Sequence, residues 1–165
     1  HLGPALALGL PLRRWLHAPT LLLASVAVDA EPLLVLVLGL SYPLHGYLHT
    51  SLLAAPAGLA VGALMLALEP RLRGLHSALL LEPRIGVPRS GFLAAGVLGA
   101  WLHVLLDAPL YSDIRPFYPV AANPLFNPAL AEPVYSLCGW LFLAGLLEYA
   151  AVAALELRTR RSARP

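Results

Sequence analysis

The chain has 165 residues, of which 59% are hydrophobic and only 12% are charged, and its mean hydropathy is +0.74. A soluble domain is about 25% charged, so this composition excludes an ordinary soluble enzyme, a disordered tail and a nucleic-acid-binding module. The formal net charge of +2 does not alter that conclusion. Because Cys138 is the single cysteine, an internal disulfide and a cysteine-based zinc knuckle are also excluded. The sequence predicts an all-α integral membrane protein with one domain over residues 1–165.

Four stretches are long and apolar enough to cross the roughly 30 Å hydrocarbon layer as helices. They are predicted at about 20–40, 50–68, 91–110 and 134–157. The apolar segment 2–12 is too short to cross and is predicted as a half-inserted or interfacial helix. The expected fold is therefore a bundle of four transmembrane helices preceded by one short helix.

All 11 basic residues are arginines, and their positions alternate along the chain. Two precede the first span, none lies between the first and second spans, and four lie in the loop 69–90. One more lies in the loop 111–133, and four lie in the tail 158–165. Since Arg and Lys accumulate on the cytoplasmic side of membrane proteins, this pattern predicts that both termini are cytoplasmic. The long, proline-rich loop 111–133 is then on the outer side, where it is a candidate substrate-facing surface.

Two carboxylates lie inside the first predicted span, Asp29 and Glu31, directly before Pro32. Ionisable groups at this depth are energetically expensive, so each is a candidate functional residue. Pro32 removes a backbone donor and is expected to interrupt the helix about four residues earlier, near Val28. The alternative interpretation is that both carboxylates are protonated or hydrogen-bonded structural groups.

Two further pairs have a spacing of four residues, which places their side chains on one face of a helix. They are His45 with His49, before the second span, and His103 with Asp107, near the outer end of the third. Each pair could hold a metal ion, or Asp107 could orient His103 as a partner of a ligand. The alternatives are interfacial histidines and a structural His–Asp pair. Imidazoles with carboxylates favour zinc, manganese or iron over calcium.

Four other polar residues lie outside the predicted spans. Asp113 and Arg115, in the outer loop, either bind an anionic substrate or pair with each other. His17 and His76 fall on the cytoplasmic side and are predicted as surface groups.

The order of these motifs resembles that of the membrane-bound metal-dependent hydrolases, a family also described as LexA-binding and inner-membrane-associated. The resemblance covers about residues 1–120 and is carried by His1-Leu-Gly-Pro, Asp29-Ala-Glu31-Pro32, His45-Gly-Tyr-Leu-His49-Thr50 and His103-Val-Leu-Leu-Asp107. It implies a ligand set that consists of His1, Asp29, Glu31, His45, His49, His103 and Asp107. Four positions depart from the family pattern, with Val28 for Pro, Glu31 for Asp, Gly46 for Arg and Thr50 for Ser. The chain is also more distantly similar to the zinc-dependent phospholipase C and nuclease group.

The leading hypothesis is a metal-dependent hydrolase that acts near the outer membrane face on a lipid or lipid-linked phosphoester. Its expected cofactor is a divalent metal, zinc first and manganese or iron next, which activates a water molecule as the nucleophile. Glu31 and Asp107 are the predicted catalytic carboxylates, with Glu31 as the proton acceptor. The expected partners are membrane lipids and the lipid-like substrate, with no nucleic acid.

Two other function classes stay open from the sequence. A small metal or ion transporter would use the same carboxylates along a path, but the chain has no inverted repeat. A homo-oligomer would supply that symmetry. A b-type haem electron-transfer protein would use the histidines and leave the carboxylates unexplained.

Overall fold

The computed structural model describes residues 1–79, 81 and 86–162, with the backbone alone for residues 160–162. Within these residues the regular structure is entirely helical, which confirms the predicted all-α class. The six α-helices are α1 (Leu2–Gly9), α2 (Ala18–Ala27), α3 (Ala30–Leu38), α4 (Ser51–Ala78), α5 (Arg89–Asp107) and α6 (Ala131–Ser162). Two 3-10 turns lie at Tyr47–His49 and Pro128–Leu130.

Four helical segments are long and apolar enough to cross a membrane, as the sequence predicts. They are Ala18–Leu38 (α2 with α3), Ser51–Ala78, Arg89–Asp107 and Pro128–Thr159. Large apolar side chains on α3 and α6 are exposed, for example Val37 at 71% and Trp140 at 70%. Apolar surface of this extent is unfavourable in water, so the exposed faces indicate association with a membrane.

The helix bounds differ from the predicted spans. Helix α4 continues to Ala78, well beyond the predicted end at residue 68, so the loop predicted at 69–90 is shorter. The continuation is polar and therefore invisible to hydropathy, but Glu69 and His76 contact each other within it, as described below. Helix α6 likewise extends past the predicted span 134–157 at both ends. Residues 80 and 82–85 of the loop, and 163–165 of the basic tail, lie outside the described residues.

The first span is interrupted between α2 and α3, as Pro32 predicts. Helix α2 ends at Ala27 and α3 begins at Ala30. The N–H groups of Asp29 and Glu31 each donate to the carbonyl three residues earlier, at 3.1 and 3.2 Å, rather than four residues earlier. The interruption therefore leaves the carbonyl of Ser25 available to a side chain from another helix.

Helix α5 is the central helix, with half of its span buried. A Cβ atom at Gly96 would meet the carbonyl of Gly58 in α4, and one at Gly99 would meet the carbonyl of Leu21 in α2. These glycines let the three backbones approach closely, as small residues do between membrane helices. His103 follows Gly99 by about one turn, so this packing brings its ring against α2 and against the residues that precede α4.

Candidate metal centre

Four side chains from three parts of the chain meet at one end of the bundle. Asp29 comes from the interruption between α2 and α3, His49 from the 3-10 turn before α4, and His103 and Asp107 from the last two turns of α5. Each offers one ligand atom, and all four atoms lie within 4.8 Å of one another. His49, His103 and Asp107 are buried, whereas the side chain of Asp29 is 49% exposed.

Three distances from His103 Nε2 are close to those between neighbouring ligands of a metal ion. His103 Nε2 lies 3.3 Å from His49 Nε2, 3.2 Å from Asp107 Oδ2 and 3.4 Å from Asp29 Oδ1. Ligand atoms placed tetrahedrally at the usual zinc distances are about 3.3–3.5 Å from one another. The three distances from His103 Nε2 therefore fit a tetrahedral divalent ion.

The hydrogen bonds of the two imidazoles hold each Nδ1 atom and direct the two Nε2 atoms toward each other. His103 Nδ1 donates to the Ser25 carbonyl at 2.8 Å, and His49 Nδ1 lies 3.0 Å from Glu31 Oε2. Burial lowers the pKa of His49, although its hydrogen bond to Glu31 works in the opposite direction. A neutral ring with its proton on Nδ1 presents a lone pair at Nε2. Two such lone pairs beside two carboxylates would suit a divalent cation.

Glu31 is predicted as a ligand and proton acceptor, but its carboxylate lies outside the four-ligand group. It accepts hydrogen bonds from the N–H groups of Gly46 at 3.0 Å and Leu48 at 3.1 Å, and it holds His49 Nδ1. The hydroxyl of Tyr42 donates to it at 3.4 Å. Carboxylates in this position orient a metal-binding histidine and fix its tautomer. In this geometry Glu31 positions His49 and the loop 42–50, and its role as ligand and proton acceptor stays a prediction.

His45 also lies beside the group rather than in it. Its ring is 4.8 Å from that of His49 between centroids, and its Nδ1 is 3.0 Å from Asp113 Oδ1. The His45 N–H donates to Asp113 Oδ2 at 3.1 Å. Burial alone would raise the pKa of Asp113, but these contacts with His45 hold it below its usual value. Asp113 therefore pairs with His45. The predicted alternative, an ion pair between Asp113 and Arg115, is not among the contacts of the described residues.

His1 joins the group through Asp107. Its Nε2 lies 3.1 Å from Asp107 Oδ1, the oxygen that does not face His103. The His1 ring packs on the His103 ring, with 3.9 Å between centroids. His1 therefore orients Asp107 and covers His103 on the side toward α1.

Two open spaces are lined by neighbours of the group, one by His45 and the other by Glu31, and none of the four ligand residues is among those that line them. A cavity of about 290 Å³ is lined by polar and aromatic residues that include Tyr42, His45, Ser112, Asp113, Arg115 and Tyr118. A groove of about 270 Å³ is lined mainly by apolar residues of α3 and the loop after it, including Leu34, Val35, Leu40 and Leu48. Tyr42 lines both, so the polar cavity and the apolar groove meet at this residue.

Sequence reasoning missed Ser25 and Tyr111. The hydrogen bond with Tyr135 and burial, together with the negative charges of Asp107 and Asp29, raise the pKa of Tyr111 to about 12. Tyr111 therefore keeps its proton beside the site. Tyr111 lies four residues after Asp107, and this spacing could have identified it from the sequence. Ser25 acts through its backbone carbonyl, which any residue has, so the sequence could not have identified it.

The prediction that His17 and His76 are surface groups is wrong. Their exposed fractions are 3% and 5%, and Glu69 lies between them. Burial, together with the charge of His76, lowers the pKa of His17 to about 4, well below the usual 6.5 of an imidazole in water. These residues form a second polar cluster away from the four-ligand group.

No known protein family, curated protein or solved structure matches this chain. Its function is therefore inferred from its residues and their geometry.

Proposed function

We propose that this chain is a membrane-embedded, metal-dependent hydrolase that acts on a lipid or lipid-linked phosphoester near the outer membrane face. One observation carries the proposal: His103 Nε2 lies 3.2–3.4 Å from three other buried or partly buried ligand atoms. Zinc is the metal that best suits two imidazoles and two carboxylates in this arrangement. The resemblance of the motifs to membrane-bound metal-dependent hydrolases supports the same reaction class.

The uneven burial of the four ligands supports a catalytic site over a structural one. His49, His103 and Asp107 are buried, while Asp29 faces a solvent-accessible space. Catalytic zinc sites typically have three protein ligands and one exchangeable position. Asp29 marks the corner at which a water molecule or a substrate oxygen would enter.

Each residue near the group has its own role in the proposed reaction. A divalent ion held by His49, His103 and Asp107 would act as a Lewis acid and would lower the pKa of a bound water toward about 7. Asp29, the exposed member of the group, would leave the fourth position to that water and accept its proton. Ser25 and Glu31 fix the two rings, and His1 fixes Asp107.

The two adjoining spaces support an anionic, lipid-like substrate. Arg115 is exposed at the wall of the polar cavity, where a guanidinium favours phosphate groups. The apolar groove begins beside Tyr42 and runs along the exposed face of α3, where it could take a hydrocarbon chain. A phosphoester whose head group lies in the cavity and whose chain lies in the groove would pass close to the four-ligand group.

A haem protein is less well supported. The Nε2 atoms of His49 and His103 are 3.3 Å apart, which leaves no room for a porphyrin between them. The carboxylates of Asp29 and Asp107 also have no role in haem ligation.

Hydrolysis by the full chain in lipid nanodiscs tests the proposal. We expect the zinc-loaded chain to release phosphate or an alcohol from one member of a panel of phospholipids and prenyl phosphates. His103→Gln and Asp107→Asn should reduce the rate to the level of metal-free protein, while Glu148→Gln, a carboxylate in α6 outside the group, should retain it. The same preparations in liposomes are assayed for zinc flux. Flux without hydrolysis of any substrate would overturn the proposal in favour of a transporter.

A further inference from the structure

His17, Glu69 and His76 form a second cluster of ligand-type side chains. His17 lies directly before α2, and the other two lie in the C-terminal half of α4. Both imidazoles are buried, and the Glu69 side chain is 18% exposed. Each residue offers one ligand atom, and the three atoms lie within 4.8 Å of one another.

The Glu69 carboxylate is central to this cluster. Glu69 Oε2 lies 3.0 Å from His76 Nδ1 and 3.4 Å from His17 Nε2. Neighbouring ligands of a tetrahedral zinc are about 3.3 Å apart, so the distance to His17 fits this separation and the distance to His76 is shorter. Glu69 Oε2 and His76 Nδ1 are both buried, yet neither has a partner in hydrogen-bond geometry among the described residues. Buried polar atoms left in that state are unfavourable, and one cation between them would satisfy both.

His17 is held so that one ring nitrogen faces Glu69. Its ring stacks on Phe92 of α5, with 4.0 Å between centroids and 18° between planes. Its Nδ1 lies 2.7 Å from the hydroxyl of Thr20, which is fully buried. When Nδ1 donates to Thr20, Nε2 turns its lone pair toward Glu69. The same arrangement occurs at His103, where Nδ1 is hydrogen-bonded to the Ser25 carbonyl and Nε2 faces the Asp107 carboxylate.

The second cluster is separate from the four-ligand group. Phe92, which stacks on His17, and His103 both belong to α5 and are eleven residues apart, or about 16 Å along a helix. No residue belongs to both groups. The two clusters would therefore bind separate metal ions.

We propose that His17, Glu69 and His76 form a second divalent-metal site whose ion fastens the C-terminal half of α4 to the start of α2. Two imidazoles and one carboxylate are a donor set that zinc prefers. A metal ion at this site would bind Glu69 and His76 to His17. This link would also explain why α4 continues as a helix beyond its apolar part. This inference does not depend on hydrolysis at the first site.

Metal stoichiometry of the full chain tests this proposal. The chain in nanodiscs is stripped with a chelator, reloaded with Zn²⁺ or Co²⁺, and measured by elemental analysis. We expect two equivalents for the unmodified chain and one for Glu69→Gln or His76→Gln. The matched control Glu148→Gln, which changes a half-buried carboxylate elsewhere, should retain two. Circular dichroism and gel filtration check that each variant is folded.

A second measurement covers the case in which Glu69→Gln or His76→Gln fails to fold. His103→Gln should retain one equivalent, and X-ray absorption should show two imidazole ligands at about 2.0–2.1 Å. Added zinc should also raise the Tm of His103→Gln. Retention of two equivalents by folded Glu69→Gln, or no bound metal in His103→Gln, would overturn the second site. One equivalent in the unmodified chain, kept by His103→Gln and lost by Glu69→Gln, would support this site and contradict the hydrolase instead.

Discussion

The Nε2 atoms of His49 and His103 lie 3.3 Å apart, and the Nδ1 atom of each ring is held by an acceptor. His103 uses the Ser25 carbonyl, which the interruption of the first span sets free, and His49 uses Glu31. Two neutral imidazoles with this hydrogen bonding carry facing lone pairs. With the carboxylates of Asp29 and Asp107, this pair of nitrogens forms a group that could hold a metal ion.

The role of Glu31 as a positioning residue can be tested by Glu31→Gln. The substitution removes the charge that holds His49 Nδ1 but leaves all four ligands in place. We expect the Kd for zinc to rise by about 10–100-fold, as is usual when a partner of a metal-bound histidine is lost. Competition titration with a zinc dye measures this change, with Glu132→Gln, an exposed carboxylate in α6, as the control. An unchanged Kd would show that Glu31 does not act through His49.

The close approach of α4 and α5 can be tested with two glycines of one helix. A Cβ atom at Gly58 would meet the backbone carbonyl of Gly96, whereas one at Gly74 would meet nothing within 4 Å. Gly58→Ala should destabilise the bundle by about 1–3 kcal/mol through overpacking. Gly74→Ala should leave stability unchanged or increase it by up to ~1 kcal/mol through helix propensity. Thermal unfolding in detergent measures both, and equal effects would contradict the packing described for α5.

The contact between Asp113 and His45 predicts a specific pH dependence. Because the pKa of Asp113 is lower in the folded chain, its ionised form stabilises the fold above the unfolded pKa. That contribution disappears as the pH falls through the lowered value. Near neutral pH, Asp113→Asn should lower Tm by about 2–4 °C, the effect of ~1 kcal/mol in a chain of this size. Once the pH has fallen below the lowered pKa of Asp113, the two Tm values should converge. A difference that is constant with pH would rule out the charge of Asp113 as its cause.

The direction of the chain in the membrane rests on the arginine pattern and can be tested by cysteine labelling. In a Cys138→Ala background, Ser112→Cys lies in the predicted outer loop and Thr159→Cys near the predicted cytoplasmic tail. A membrane-impermeant maleimide should label only Ser112→Cys in intact cells and both variants after lysis. Labelling of Thr159→Cys alone in intact cells would invert the topology and place the metal centre on the cytoplasmic side.

The sequence predicted those parts of the structure that depend only on a residue and its neighbours in the chain. Carboxylates and histidines are conspicuous in so apolar a chain, so Asp29, His49, His103 and Asp107 could be selected without a fold, although His1, Glu31 and His45 were selected with them. The interruption of the first span followed from the geometry of Pro32 alone. The four membrane-crossing segments followed from length and hydropathy.

The parts that depend on distant contacts could not be predicted. Glu31 is two residues from Asp29, and only the turn of the chain after α3 shows that it reaches the backbone of residues 46–48. His17 and Glu69 are more than fifty residues apart in sequence, so no local pattern connects them. Hydropathy also missed the polar end of α4, because its burial depends on partners outside the helix.

Elemental analysis combined with a visible spectrum of the purified chain tests the central claim most directly. The unmodified chain is compared with His103→Ala and Asp107→Ala, each checked for folding by circular dichroism. The account predicts stoichiometric zinc, manganese or iron without a haem band, and the loss of one equivalent in both variants. An unchanged metal content in the folded variants, or a haem band in the unmodified chain, would contradict it.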